Sequence, residues 1–196
     1  MTVRSLDKAS LAALLCFSMN IRFPLLFVLC IAGSLALAEG VTAPPMAYVQ
    51  AGIICPPETV GSAPAPGTLA GTTHIIADEP PFVSTARRVP AVLGIGFGIK
   101  AQSVAADGID GVTVIVAHPP MGDVAVQTQS FATRISGGTP SLTFYQFDYA
   151  YELVKGTWHM TAMSGETILY SVAFEVVDPS QAPELAGVCG YLELLS

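Results

Sequence analysis

The chain has 196 residues, with eight Lys and Arg against fifteen Asp and Glu and a formal charge of −7. That balance excludes a nucleic-acid or anionic-lipid binder, because no basic patch is present to release counterions from phosphates. The length is that of one domain with a real core once an apolar front segment is set aside.

That front segment comes first in the chain. Residues 23–38, FPLLFVLCIAGSLALA, follow Arg22 and close on Ala36-Leu37-Ala38, the small-residue pattern a signal peptidase reads, with the cut before Glu39. The run is shorter than the roughly 20 apolar residues a membrane-spanning helix needs, and a retained anchor is the alternative reading. Met19-Asn20-Ile21-Arg22 would open a compact leader by itself, so Met1 and Met19 are both candidate starts. Cys16 and Cys30 follow Leu15 and Leu29, where a lipid-attachment site wants a small residue. Residues 1–38 thus read as a signal peptide and 39–196 as a single domain, periplasmic or secreted. Only Asp7 among the acids leaves with the leader, against Arg4, Lys8 and Arg22, so the mature part is more acidic than the whole.

Cleavage leaves Cys55 and Cys189 as the only thiols of an exported domain. Export favours oxidation, and two thiols allow one intramolecular bridge, here between the first mature strand and the C-terminal segment. A redox pair would need a C-x-x-C or a thioredoxin-like βαβ pattern, and the sequence has neither.

No stretch of the mature chain sustains a 3.6-residue apolar period. Short β-rich runs alternate with turn residues instead, which predicts an all-β sandwich or barrel. The first strand is expected over 48–54. Residues 56–71, PPETVGSAPAPGTLAG, read as a surface loop. Further strands are expected over 72–77, 82–87, 93–102, 112–118, 126–135, 142–149, 157–163 and 168–177.

Residues 93–100, LGIGFGIK, are the most informative of these. Alternation sets Leu93, Ile95, Phe97 and Ile99 on one face and Gly94, Gly96 and Gly98 on the other. Bare backbone on one face predicts close approach by something large, such as Tyr145 or Phe147. A phosphate cradle is excluded, since the spacing is G-x-G-x-G and no helix follows. In the strand over 157–163, Trp158, Met160 and Ala162 share one face while His159, Thr161 and Met163 share the other. The chain's only tryptophan is therefore read as a core pin, with Phe97, Ile95 and Phe174 in the same core and the indole N–H seeking a partner.

The runs VPAVLGIGFGIK, HPP, FDYAYELVKGTW and AFEVV, in that order over about residues 89–177, resemble an uncharacterised family of exported bacterial proteins known as domain of unknown function 3859. The resemblance implies an immunoglobulin-like antiparallel β-sandwich and brings no activity, substrate or catalytic residue. The family pattern has Pro before the Gly of its E-L-x-x-G-x-W corner, where this chain has Lys155.

His and Met are the only residue types here that suggest a site. His118, Met121 and His159 resemble the His/Met sets that hold copper. His159 and Met163 lie about 13 Å apart along one strand face, so only a grouping across the sheet, His118 with His159 or Met121, could hold an ion. His74 in TTHII reads as a strand residue with a satisfied ring. No G-x-S-x-G, S-x-x-K or free thiol points to a nucleophile. Asp107-Gly108-Ile109-Asp110-Gly111 lacks calcium-loop spacing and reads as hairpin chemistry, and Ser164-Gly165-Glu166 as the turn of the last hairpin. Asp148 and Glu152 flank the aromatic corner, where carboxylates cap turns more often than they catalyse.

These features predict an exported, non-catalytic binding or structural module of the cell envelope, with an envelope protein as partner and no cofactor. The alternative is a periplasmic copper-binding protein using His and Met side chains.

Overall fold

A computed structural model describes residues 41–42 and 45–195; the expected leader, residues 1–38, and the expected cleavage site lie outside the described residues. Among the described residues eleven strands carry the fold. They are β1 (Val41–Thr42), β2 (Met46–Ile54), β3 (Thr59–Pro64), β4 (Thr72–Ile76), β5 (Arg88–Pro90) and β6 (Gly96–Ser103). β7 (Ile109–Met121), β8 (Val126–Ile135), β9 (Ser141–Gln146), β10 (Gly156–Ser164) and β11 (Thr167–Val177) follow. The strands form a sheet ordered β1-β11-β10-β7-β8, a sheet ordered β2-β6-β9, and a separate β3-β4 hairpin. β5 joins the first sheet parallel to β11, beyond the end that β1 pairs antiparallel.

From β6 onward the chain passes from one sheet to the other at β6–β7, β8–β9 and β9–β10. Three strands facing four, with those crossings and a short parallel strand on the last one, is the connectivity of an immunoglobulin-type sandwich. The inner faces follow from period-2 alternation. Val112, Val114 and Val116 of β7 are buried, as are Trp158, Met160 and Ala162 of β10 and Phe97 and Ile99 of β6. Trp158 is fully buried opposite Phe174. Its ring meets Phe97 edge-on at 5.7 Å and Phe147 at 5.7 Å, and its Nε1 donates to the Val154 carbonyl at 3.0 Å. Ile95 is also fully buried.

Cys55, immediately after β2, is bonded to Cys189 at the end of a short helix, Ala186–Cys189. The bridge spans 134 residues. In the chain-entropy model a loop of that length contributes about 5 kcal/mol.

Five expectations need correction. Residues 56–71 are not one loop, since Thr59–Pro64 pairs antiparallel with β4. β3 is exposed at nearly every position, so no apolar alternation marks it. Residues 82–87 form no strand; they touch β2 through a single bridge, Ile53 to Ser84, and the paired segment is β5. Leu93 lies outside β6 and is 50% exposed, because Gly94 turns the chain at a φ of 84°. On the glycine face a Cβ on Gly98 would meet the Phe144 Cβ at 2.6 Å and one on Gly96 the Ile54 side chain at 2.7 Å, while the Phe82 ring covers the neighbouring Gly52. Gly52 pairs with Gly98, whereas Tyr145 and Phe147 pack on the Phe97 side. The Asp107-Gly108 step also differs in role, carrying the chain between sheets rather than closing a hairpin.

Candidate functional site

The polar features of the molecule gather where β9 leaves its sheet and the chain crosses to β10. Glu152, in a 3₁₀ turn over Ala150–Glu152, is buried despite its charge. Its side chain folds back along the corner, so that one oxygen accepts from the backbone N–H of Asp148 at 2.6 Å and of Tyr149 at 2.9 Å. The other oxygen accepts from the Tyr145 hydroxyl at 2.7 Å. Burial holds the Glu152 carboxyl above its ordinary range, against the lowering effect of those three bonds. Burial, with the nearby Glu152 charge, pushes the Tyr145 phenol up as well.

The chain of bonds continues inward. Gln129, buried on β8, donates to the Tyr145 hydroxyl at 3.1 Å and approaches His118 Nε2 at 3.3 Å, while its carbonyl accepts from the Leu69 N–H at 2.6 Å. His118 is buried on β7 with its ring 4.6 Å from that of Trp158. Its Nδ1 lies 2.8 Å from the Pro119 carbonyl, an acceptor only, so Nδ1 carries the proton and Nε2 receives the amide of Gln129. Burial holds this imidazole below its usual range, and the Pro119 bond offsets part of that.

Outside this buried chain lies a small cleft. Thr72, Thr73 and His74 of β4 form one side, and Gln146, Asp148 and Glu152 the other. Phe131 and Phe144 supply apolar wall, and the open volume is about 50 Å³. His74 Nε2 lies 2.7 Å from Asp148 Oδ2, and Gln146 Nε2 donates to Asp148 Oδ1 at 3.0 Å. Gln146 Oε1 is buried with no hydrogen-bond partner. At the outer edge of the corner, Tyr149 and Tyr151 stack face to face at 5.2 Å.

His118 and His159 do not meet. His159 pairs with Ala117 and is exposed on the outer face of the sheet, while His118 points into the core. The sheet itself separates the two imidazoles. Both nitrogens of His118 are already bonded, and Met121 is buried past an irregularity in the β7–β8 pairing. Among the described residues no three His, Cys, Asp or Glu side chains are grouped as metal ligands. His74 stands in strand β4, as the sequence reading has it, with Asp148 on its ring. The sequence reading missed Gln129 and Gln146. One signal was present: Gln129 falls in the inward phase of β8 with Phe131 and Ile135, where a polar residue needs partners.

The fold and this interior define an immunoglobulin-type β-sandwich in which His118, Gln129, Tyr145 and Glu152 form one buried chain of hydrogen bonds. The chain belongs to the family described as Domain of unknown function (DUF3859), whose model matches residues 44–176. The match begins well before residue 89, so β2, the β3–β4 hairpin and β5 are part of the family domain. Among solved structures the chain is similar to an immunoglobulin-like protein from Pseudomonas aeruginosa, at 20% identity and a TM-score of 0.44, covering 72% of this chain and 99% of that one. No curated protein matches it.

Proposed function

We propose that the chain is an exported, non-catalytic binding or structural module of the cell envelope, with an envelope protein as its partner. The occupancy of the polar interior carries this reading. Both His118 nitrogens, both Glu152 oxygens and the Gln129 amide are engaged with one another, with Tyr145 or with backbone. A general acid or base must reach a substrate proton; His118 is turned into the core, and Glu152, which borders the cleft, has both oxygens committed to backbone N–H groups and the Tyr145 hydroxyl. The accessible His74–Asp148 pair is hydrogen-bonded to none of the threonine hydroxyls in the cleft lining, Thr68, Thr72 and Thr73, so no activated nucleophile is assembled there.

Export is supported by the leader and by the Cys55–Cys189 bridge, since structural disulfides persist in oxidising compartments. Among the described residues no helix is long and apolar enough to cross a membrane. The test is fractionation followed by intact mass, with a periplasmic or secreted product beginning at Glu39 as the expected result. A cytoplasmic product, or one retaining Met1 or Met19, refutes the export step. Affinity capture from envelope extract then tests the module, and the reading fails if no protein is retained.

A further inference from the structure

We infer that the loop joining β3 to β4, residues 65–71, is a proton-released latch, held on β8 while His118 is neutral and let go when His118 takes a second proton. The device lies within the one domain, so it stands or falls apart from any partner. Two hydrogen bonds seat the loop on consecutive residues of β8. The Gly67 carbonyl accepts from the Ser130 N–H at 2.9 Å, and the Leu69 N–H donates to Gln129 Oε1 at 2.6 Å. The second bond fixes the amide, because a backbone N–H can only donate and Oε1 must therefore face Leu69. Gln129 Nε2 is left facing the Tyr145 hydroxyl at 3.1 Å and His118 Nε2 at 3.3 Å. That arrangement needs His118 Nε2 as an acceptor, which it is only while the ring's one proton sits on Nδ1 against the Pro119 carbonyl.

A second proton makes Nε2 a donor aimed at the donor side of the Gln129 amide. Turning the amide brings Oε1 to the imidazolium, a charge-assisted bond, and sets Nε2 against the Leu69 N–H. One oxygen cannot serve both donors. Leu69 yields, since it is only half-buried and its N–H finds water once the loop lifts. The Trp158 ring, 4.6 Å from the imidazole, favours the added charge, so the core can hold it without unfolding. Burial weakens proton binding by His118 in the closed form. The open form is wetter and binds the proton better, so acid below about pH 6.5 favours opening.

The other titratable groups around the ring act differently. Residues 65–71 carry none. Asp123 of the β7–β8 turn is exposed, and His159 of β10 lies on the far face of the sheet. Burial pushes the Tyr145 and Tyr151 phenols up, so both stay neutral. Glu152 is bonded to Tyr145 and not to the imidazole. Its carboxyl is also raised by burial, which makes it the rival trigger. His74 joins β4 to Asp148, and protonating it tightens that contact and opposes release.

The test is a pH titration of the purified ¹⁵N-labelled protein, read by amide hydrogen exchange and by tryptophan fluorescence. An imidazolium quenches a neighbouring indole, so the chain's only tryptophan reports the protonation of His118 itself. The expected result is one midpoint below about pH 6.5 for the fluorescence and for the Leu69 N–H signal. Across it the Leu69 protection factor should fall at least about tenfold, while the N–H groups of β6 keep theirs. His118→Gln, which cannot take the proton, should abolish the step, and Glu152→Gln should keep it. Should His118→Gln fail to accumulate, Gln129→Leu puts the same question, with Leu69 expected to be unprotected at both ends of the titration. Steady Leu69 protection through the fluorescence midpoint overturns the latch, as does an acid step that survives in His118→Gln or Gln129→Leu. Loss of the step in Glu152→Gln assigns the trigger to Glu152 and overturns it as well. Simultaneous loss of protection in β6 means unfolding of the whole domain, and it too refutes a local release.

Discussion

Trp158→Ala is the sharpest perturbation of this core. The indole is fully buried and contacts four rings, those of Phe97, His118, Tyr145 and Phe147. Truncation removes the transfer free energy of the side chain and opens a cavity that two β-sheets cannot collapse around, which together cost about 3–5 kcal/mol. The upper end applies here, because aromatic pairs add about 0.5–1.5 kcal/mol beyond area burial and the Val154 carbonyl loses its donor. At about 2–4 °C per kcal/mol for a domain of this size, the melting temperature should fall by about 10–20 °C. Far-UV circular dichroism is the right readout, since the variant has no tryptophan to fluoresce. His159→Ala, on the exposed face of the same strand, should change stability by no more than about 0.5 kcal/mol. A Trp158→Ala protein that melts within about 2 °C of wild type, well below the shift expected for a core cavity, refutes the packing argument. Equal losses at positions 158 and 159 refute the assignment of faces.

Two further outcomes follow from the same structure. The Cys55→Ser, Cys189→Ser double variant should lose about 2–5 kcal/mol, read as a lower urea midpoint; free alkylation of both thiols in native unreduced protein contradicts the bridge. The His118 imidazole, held below its usual range in the fold, contributes stability that is present above its unfolded pKa of about 6.5 and is lost as pH falls through the lowered folded value. Glu152, raised in the fold, acts oppositely, stabilising below its unfolded value and losing that as pH rises through the folded one. Urea midpoints measured from pH 7 to pH 5 should therefore fall less in His118→Gln than in wild type. Parallel curves refute the assignment of that slope to His118.

The sandwich was legible in the sequence because its strands bury one face. Val112, Val114 and Val116, or Trp158, Met160 and Ala162, announce a strand by alternation alone, and β8 has the bounds expected of it. The two cysteines were legible for a different reason: with residues 1–38 set aside as an expected leader, only one pairing remained, and Cys55 is bonded to Cys189. Topology was not legible, since nothing in a run such as Val126–Ile135 says which sheet its edge will join. The polar site was harder still. Gln129, Tyr145 and Glu152 are separated along the chain and meet only because β8, β9 and the following corner converge, so no local spacing encodes them.

The β3–β4 hairpin shows why that site escaped a pattern reading. β3 is almost wholly exposed, so its strand character comes from backbone pairing and not from an apolar stripe. Apart from Leu69, which packs against the core, its attachment to the sandwich is polar. The Gly67 carbonyl accepts from Ser130 of β8 at 2.9 Å, His74 meets Asp148, and Glu79 pairs with Lys100 at 2.8 Å while accepting from the Leu142 N–H. The Ser130 and Leu142 contacts fall on β8 and β9, which end the two sheets on that side, so backbone groups there that could recruit another chain are covered. A segment held by hydrogen bonds rather than close packing leaves space beneath it, and the cleft beside His74 is that space. The hairpin was invisible to apolar periodicity for the same physical reason that it bounds a polar cleft: it carries too few apolar side chains to seal one.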